Sequence, residues 1–483
     1  MGNDKIKTVT GNMFWRFSER ILAQFVGFVV SIILARILEP SAYGTVALMM
    51  VFINVLQVFV DSGLGNALIQ KKNADEIDFS TVFFTNIVFC VLLYAVLFVT
   101  APYIAGFYKD PGLTPYIRVL GLIIPISGVK NVQQAYVSRN MLFRKFFFAT
   151  LSGTVIAGIT GITLAIHGAG VWALVAQQII NLSIDTCILW ITVKWRPTGS
   201  FSIERLKGLF GFGWKLLASS LLDTGFNEIR KLFIGKIYTS SDLAFYDQGD
   251  KLPGVMITNL NTTIDSVLLP VMSQEQDDRE RVRAMLRRSI RVGVYIVAPF
   301  VVWLSAIAEP LVRLMLTEKW MHTVFFIRVF SFSYLFFPIH TANLNAMKAL
   351  GRSDLFLKLE IIKKIIMFAL LFISVSISAE AIAISMLAAS FICMFINAWP
   401  NRKLLGYGCM AQIRDILPEI LCALIAGGFI LLMGLLNLPD ILMMILSVIF
   451  GLAVYFVFSK ILKLDSFDFL LNIAKGYLRK KRE

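Results

Sequence analysis

The sequence predicts an all-α polytopic membrane protein. About 14 transmembrane helices form two pseudo-two-fold related six-helix lobes, followed by two C-terminal helices. Three observations predict it: the composition, an alternation of charge between successive loops, and an internal repeat. Apolar residues make up 57% of the 483 positions and charged residues 16%, and phenylalanine alone occurs 40 times. Soluble domains carry about 25% charged residues, and a soluble fold could not enclose this much apolar surface. Spanning segments need about 20 apolar residues each, and in lipid every backbone group must be satisfied within its own segment, so the segments are helices.

Fourteen apolar segments follow in order, with cores near 14–36, 42–68, 80–105, 117–137, 146–166, 170–193, 209–237, 243–271, 288–308, 323–349, 355–377, 380–399, 411–435 and 440–460. At the first, Lys5, Lys7, Arg16 and Arg20 come before an apolar run from Ile21 with no convincing cleavage site, so it reads as a retained helix and not a removed signal. The net charge of +15 suggests nucleic acid until its distribution is considered. One set of alternate loops and the termini hold 29 Lys and Arg; the other set holds six, Arg36, Lys109, Arg118, Lys236, Arg313 and Lys319. This is the signature of membrane orientation with both termini cytoplasmic, and no nucleic-acid partner is expected. Five scattered cysteines, without a C-x-x-C pair, read as small core residues and not as a disulfide framework or metal site.

The chain repeats itself with a period of about 200 residues. Ala35-Arg36-Ile37 and Ser41 align on Gly235-Lys236-Ile237 and Ser241, and Trp15-Arg16 on Trp214-Lys215. Pro125-Ile126 aligns on Pro338-Ile339, and Arg139, Leu142, Phe143 and Lys145 align on Arg352, Leu355, Phe356 and Lys358. Six helices per repeat give both halves the same orientation, hence an axis along the membrane normal and a cavity between lobes. The expected divisions are 1–200 (helices 1–6), 201–403 (helices 7–12), 404–463 (helices 13 and 14) and 464–483, a basic cytoplasmic tail that can rest on anionic lipid.

Ionisable groups within spanning helices face a partner or a water-filled cavity. Helix 1 carries Arg16, Glu19, Arg20 and Gln24; helix 2 carries Asn54, Gln57 and Asp61. Helix 7 carries Ser219, Asp223, Asn227, Glu228, Arg230 and Lys231. Helix 8 carries Asp247, Asp250, Lys251, Gly254, Thr258, Asn261 and Asp265, whose steps of three and four trace a continuous stripe, and His340 is the lone histidine in a span. One reading is a hydrated cavity in which Arg16, Arg20, Arg230, Lys231 and Lys251 attract an anion. Glu19, Asp61, Asp223, Glu228, Asp247, Asp250, Asp265 and His340 would then balance charge or couple to an ion. The other reading is that acid–base pairs lock helices together, or that Arg16 and Arg20 snorkel. Lys130 and Asp185 are open to either. The run Gln274 to Arg291 reads as a solvated cytoplasmic loop. No metal or cofactor is expected beyond an H⁺ or Na⁺ gradient.

The chemistry of an enzyme is missing. There is no G-x-x-x-x-G-K-[ST], no H-E-x-x-H and no G-x-S-x-G. Gly168-Ala-Gly-Val-Trp-Ala173 matches a dinucleotide fingerprint superficially but follows no strand. The longest outside loops, near Lys109–Tyr116 and Glu309–His322, are short for a glycosyltransferase or polymerase.

Several stretches resemble the Wzx-type polysaccharide flippases, within the multidrug/oligosaccharidyl-lipid/polysaccharide exporter superfamily, and more narrowly its colanic-acid and teichuronic-acid exporter branch. They are Asp61-Ser-Gly-Leu-Gly-Asn-Ala-Leu-Ile-Gln70, Ser80-Thr-Val-Phe-Phe-Thr-Asn86, Gly168-Ala-Gly-Val-Trp-Ala-Leu-Val-Ala-Gln177, Trp195-Arg-Pro197, Phe212-Gly-Trp214, Leu268-Leu-Pro-Val-Met-Ser273 and Ala308-Glu-Pro-Leu-Val312. The resemblance implies a V-shaped, MATE-like fold and alternating access. It implies a polyprenyl-pyrophosphate-linked oligosaccharide as cargo in the bacterial cytoplasmic (inner) membrane. Membrane lipids, a polysaccharide polymerase and a chain-length regulator are the expected partners. In Glu228-Ile-Arg-Lys-Leu-Phe-Ile-Gly235, Arg230 stands where many relatives have an acid, which implies a more cationic cavity. The rival readings are a multidrug/cation antiporter, a non-transporting scaffold for polysaccharide assembly, and the membrane enzyme already weakened by its loops.

Overall fold

A computed structural model describes all residues except 1–21, 62, 63, 72, 437 and 481–483. Nineteen α-helices and no strand occur among the described residues. The chain divides into two compact units, with the boundary between Ala244 and Phe245.

The first unit holds α1 (Leu22–Ile37), α2 (Pro40–Asp61), α3 (Leu64–Gln70), α4 (Glu76–Phe107), α5 (Leu113–Leu120), α6 (Ile123–Arg139), α7 (Phe143–Ile166), α8 (Val171–Thr192) and α9 (Ile203–Ile237). The second holds nearly all of α10 (Ser240–Gln274), then α11 (Arg279–Ala306), α12 (Ala308–Met315), α13 (Thr323–Tyr334), α14 (Phe337–Ala349) and α15 (Ser353–Ser374). It continues with α16 (Ala379–Leu405), α17 (Cys409–Gly434), α18 (Asp440–Ile461) and α19 (Asp465–Lys480). Eleven helices or helix pairs among the described residues are long and apolar enough to cross a membrane. Helices α1, α9 and α15 fall on three further expected segments. Only 16 residues of α1 are described, and α9 and α15 are richer in charge.

The repeat is visible in backbone form. Helix α1 ends at Ile37 and α2 begins at Pro40; α9 ends at Ile237 and α10 begins at Ser240. The same two-residue break recurs 200 positions later. Helix α9, which the repeat assigns to the second set of six, packs here against α2, α3 and α4 of the first unit.

Helices α7 and α8 form a close hairpin for a reason legible in α7. Ala149, Gly153, Ala157, Gly161 and Ala165 recur every four residues and are all buried. Small residues in such a row let two backbones approach in lipid, where no hydrophobic drive pulls helices together. A Cβ on Gly153 would stand 2.8 Å from the Asn181 carbonyl oxygen. The connecting turn takes Gly168 and Gly170 to φ of +78° and +55°, a region that glycine enters without a Cβ penalty. Those glycines therefore serve a turn and no nucleotide.

Three segments expected as loop or tail are helical. The charged run from Arg279 onward is the first turns of α11. Asp278 caps it by accepting from the Arg281 N–H (3.1 Å), which leaves only a short connector after Gln274. The loop after Ala306, expected on the outside, contains α12 and a 3₁₀ turn at Glu318–Trp320. The tail forms α19, held by Ser466 Oγ donating to Glu419 (3.1 Å) and by Arg291 pairing with Asp465 (2.5 Å). The five cysteines are free.

Candidate functional site: a polar cavity between α2 and α9

Helix α2 turns Asn54, Gln57, Val58 and Asp61 to one face, at steps of three and four. Helix α9 does the same with Ser220, Asp223, Thr224 and Glu228. The two run antiparallel: a Cβ on Gly235 would meet Leu48 at 2.7 Å, and Asn54 Nδ2 donates to Glu228 Oε1 at 2.9 Å. Their polar faces line an open cavity of about 430 Å³, formed by those eight residues.

The cavity's charges are carboxylates. Gln57 Nε2 donates to both oxygens of Asp61 at 3.2 Å, and Asn131 also hydrogen-bonds Asp61, with Lys130 close by. Asn227 reaches Asp223 at 3.5 Å. Glu228 holds Lys231 at 3.6 Å. Behind Asp61, Lys130 is enclosed with Asp185 at 2.5 Å, tying α6 to α8.

This differs from the cationic lining expected of helix 7. Arg230 is buried, 4% exposed, and lies on the Phe226–Ile234 side of α9, where its guanidinium stands 5.9 Å from the Phe226 ring. Its Nε has no hydrogen-bond partner. The reason is helical phase: 228 and 230 are about 200° apart, so neighbours in sequence face opposite ways. Lys231 returns to the cavity side, paired with Glu228. Arg16, Glu19 and Arg20 lie outside the described residues.

In the second unit the stripe of α10 meets α13 and α14. Tyr334 donates to Asp250 (2.9 Å), Asn345 to Asp265 (2.7 Å) and Asn261 to Thr341 (2.6 Å). Close approach permits this: a Cβ on Gly254 would stand 2.8 Å from the Tyr334 hydroxyl. Asp247 is half-buried and Lys251 exposed. His340 meets Asn397 Nδ2 at Nδ1 (3.1 Å) and Ser390 Oγ at Nε2 (3.3 Å), so both ring nitrogens are engaged. These contacts are helix pairing.

A second network joins charges that lie far apart in the sequence. Arg287 forks onto Asp415 (2.6 and 2.7 Å), which also accepts from Tyr407. Arg291 joins buried Glu419 to Asp465. It anchors α17 and α19 on α11. The i+4 spacing of both Arg287/Arg291 and Asp415/Glu419 was the available signal. Among the described residues, no group of three or more His, Cys, Asp or Glu could hold a metal ion.

Paired helices with apolar outer faces and a carboxylate-, amide- and hydroxyl-lined cavity within the first unit define a multi-pass helical membrane protein with a polar site among its helices. The chain belongs to the polysaccharide biosynthesis protein family, whose model matches residues 33–325. Similar proteins include the succinoglycan biosynthesis transport protein ExoT of Rhizobium meliloti, 26% identical over 65% of this chain and 64% of that one. The teichuronic acid biosynthesis protein TuaB of Bacillus subtilis is 24% identical over 62% of each chain. The lipopolysaccharide biosynthesis protein WzxC of Escherichia coli is 23% identical over 65% and 64%. The matches thus span a little under two thirds of these relatives' lengths. Among solved structures, the fold is similar to the lipid II flippase MurJ in an inward closed conformation (TM-score 0.72, 14% identity, 93% of this chain and 98% of that). It is also similar to an inward-facing multidrug resistance MATE family transporter of the MOP superfamily (TM-score 0.61, 14% identity, 81% and 98%). At that identity the likeness is one of fold.

Proposed function

We propose that this chain is a flippase. It moves a polyprenyl-pyrophosphate-linked oligosaccharide across the bacterial cytoplasmic membrane by alternating access, with both termini in the cytoplasm, and does so by transport and not by catalysis. The observation that carries the proposal is the α2–α9 cavity in a chain of this family. Asn54, Gln57, Asp61, Ser220, Asp223, Thr224 and Glu228 offer the mixed donors and acceptors that match sugar hydroxyls. The names of the relatives support the cargo class, and the MurJ-like fold supports the transport mode. Lys231, Lys251, Arg16 and Arg20 are the cations proposed to meet the pyrophosphate, with Arg230 setting the field from behind α9. Asp61, Asp223 and Glu228 are the groups proposed to exchange a coupling H⁺ or Na⁺. A polymerase and a chain-length regulator would take the cargo onward.

The acidic lining also favours a second reading, a multidrug/cation antiporter, because carboxylates attract cations. Export of polymer from cells separates the two. On the flippase reading, Asp61→Asn and Glu228→Gln, expressed at wild-type level, cut export at least tenfold and leave ethidium efflux at background. Normal export by both variants, with ethidium efflux that depends on the wild-type chain, would establish the antiporter.

A further inference from the structure

Helix α18 ends at Ile461, and after a turn of three residues α19 starts at Asp465. Lys463 makes the turn at a φ of +50°. The chain then folds back beside the helix it has just left. The Phe467 ring of α19 stands 6.0 Å from that of Phe456, which lies five residues before the end of α18, about 7.5 Å back along its axis. Phe456 is 47% exposed, and Val457, Ile461 and Leu462 beside it are exposed too. An apolar face of this kind on a spanning helix meets acyl chains. Helix α19 therefore begins at a depth where lipid still covers α18.

The first turns of α19 are fixed to the protein. Asp465 and Ser466 are tied to Arg291 and Glu419. Phe467 and Leu470 pack on the core of the second unit, and the Arg288 guanidinium stands 4.8 Å from the Phe469 ring.

The next turns keep the same pattern without the same cover. By helical phase Phe467, Leu470, Leu471 and Ile473 share one side of α19, and Asp468, Asn472 and Lys475 share the other. Leu471 and Ile473 are exposed, Ile473 by 54%. Charge accompanies the opening of this face. The sequence from 475 to 482 holds Lys475, Arg479, Lys480, Lys481 and Arg482 and no acid.

We propose that the second half of α19 is an interfacial anchor. Leu471 and Ile473 enter the acyl boundary of the leaflet on that side, and the positive charge of 475–482 binds its anionic phospholipids. An amphipathic helix holds a lipid surface by this combination of buried apolar area and basic charge. The fold places the helix for it, because the turn after α18 and the Phe467–Phe456 contact start α19 beside lipid. The surface is separate from the α2–α9 cavity, and the inference rests on the membrane-spanning fold and not on the transport reading.

Nitroxide labels at Ile473→Cys and Asn472→Cys test it, in the full chain with its five cysteines replaced by alanine and reconstituted in phosphatidylglycerol nanodiscs. The expected label at 473 is relaxed by oxygen and shielded from an aqueous nickel chelate, and the label at 472 shows the reverse, with accessibility ratios at least fivefold apart. Amide hydrogen exchange on the chain with its own cysteines gives a second measure. Residues 471–480 are expected to exchange at least fivefold more slowly in phosphatidylglycerol than in phosphatidylcholine nanodiscs, and Ile473→Ser to remove the difference. Equal nickel accessibility at 473 and 472, or equal exchange in the two lipids, overturns the proposal. Shielding of 473 from both oxygen and nickel, the mark of a second protein copy on this face, overturns it as well.

Discussion

The Lys130–Asp185 pair shows what an enclosed charge does in this chain. Its side chains are 13% and 9% exposed and stand 2.5 Å apart. Removing one partner of such a pair leaves an uncompensated charge, which costs about 3–5 kcal/mol, whereas replacing both with apolar residues is nearly neutral. Asp185→Leu is therefore expected to lower the thermal midpoint in detergent by several degrees, and Lys130→Met/Asp185→Leu to recover most of it. A double variant no better than the single one would show that Lys130 answers chiefly to Asp61. Arg230 presents the opposite case, a buried cation with an unpaired Nε. Arg230→Met is expected to keep the protein level and thermal midpoint near wild type. Its effect on export then reports the charge alone.

At the scale of the element, α7 makes the most direct prediction. Gly153→Val places side-chain atoms against the Asn181 carbonyl oxygen. Overpacking of this kind costs about 1–3 kcal/mol, so a lower melting temperature is expected, and an unchanged one would mean that the α7–α8 seam is looser than described. The start of α9 is tied to that of α4 by Arg205, whose guanidinium holds the Asp75 carboxyl below the usual carboxylate range. A depressed carboxylate pKa contributes stability above the unfolded value of about 3.9 and loses it as pH falls through the lower folded value. Arg205→Gln should therefore narrow the gap between melting temperatures at pH 7 and pH 3. An unchanged gap would show that the tie contributes nothing.

Element positions were legible because apolar runs of spanning length are hard to mistake. Phase within them was harder. Asp61, Asp223 and Glu228 were recognisable as intramembrane charges, yet Arg230 and Lys231 looked equivalent until helix rotation placed them on different faces. The charged run after Gln274 looked like loop because hydropathy registers the lipid boundary and not the helix end. Helix α11 continues past that boundary on an Asp278 cap. The tail was read from its basic charge, and its helical docking through Ser466 and Asp465 depends on Glu419 and Arg291, distant residues that no local pattern joins.

For the molecule as a whole, the repeat explains why the same two-residue break follows both Ile37 and Ile237. The family model places the chain among the polysaccharide biosynthesis proteins, the fold is that of a multi-pass helical membrane protein, and the cavity shows where one of its units is polar. The proposed function requires translocation of a lipid-linked glycan. The direct measurement reconstitutes the full chain in liposomes with a short polyprenyl-pyrophosphate glycan and follows the glycan's accessibility to a membrane-impermeant glycosidase, with and without an H⁺ or Na⁺ gradient. Protein-dependent translocation is expected, accelerated by an imposed gradient and abolished by Asp61→Asn/Glu228→Gln. Glycan that stays on its original leaflet at the protein-free rate, under either gradient, would contradict it.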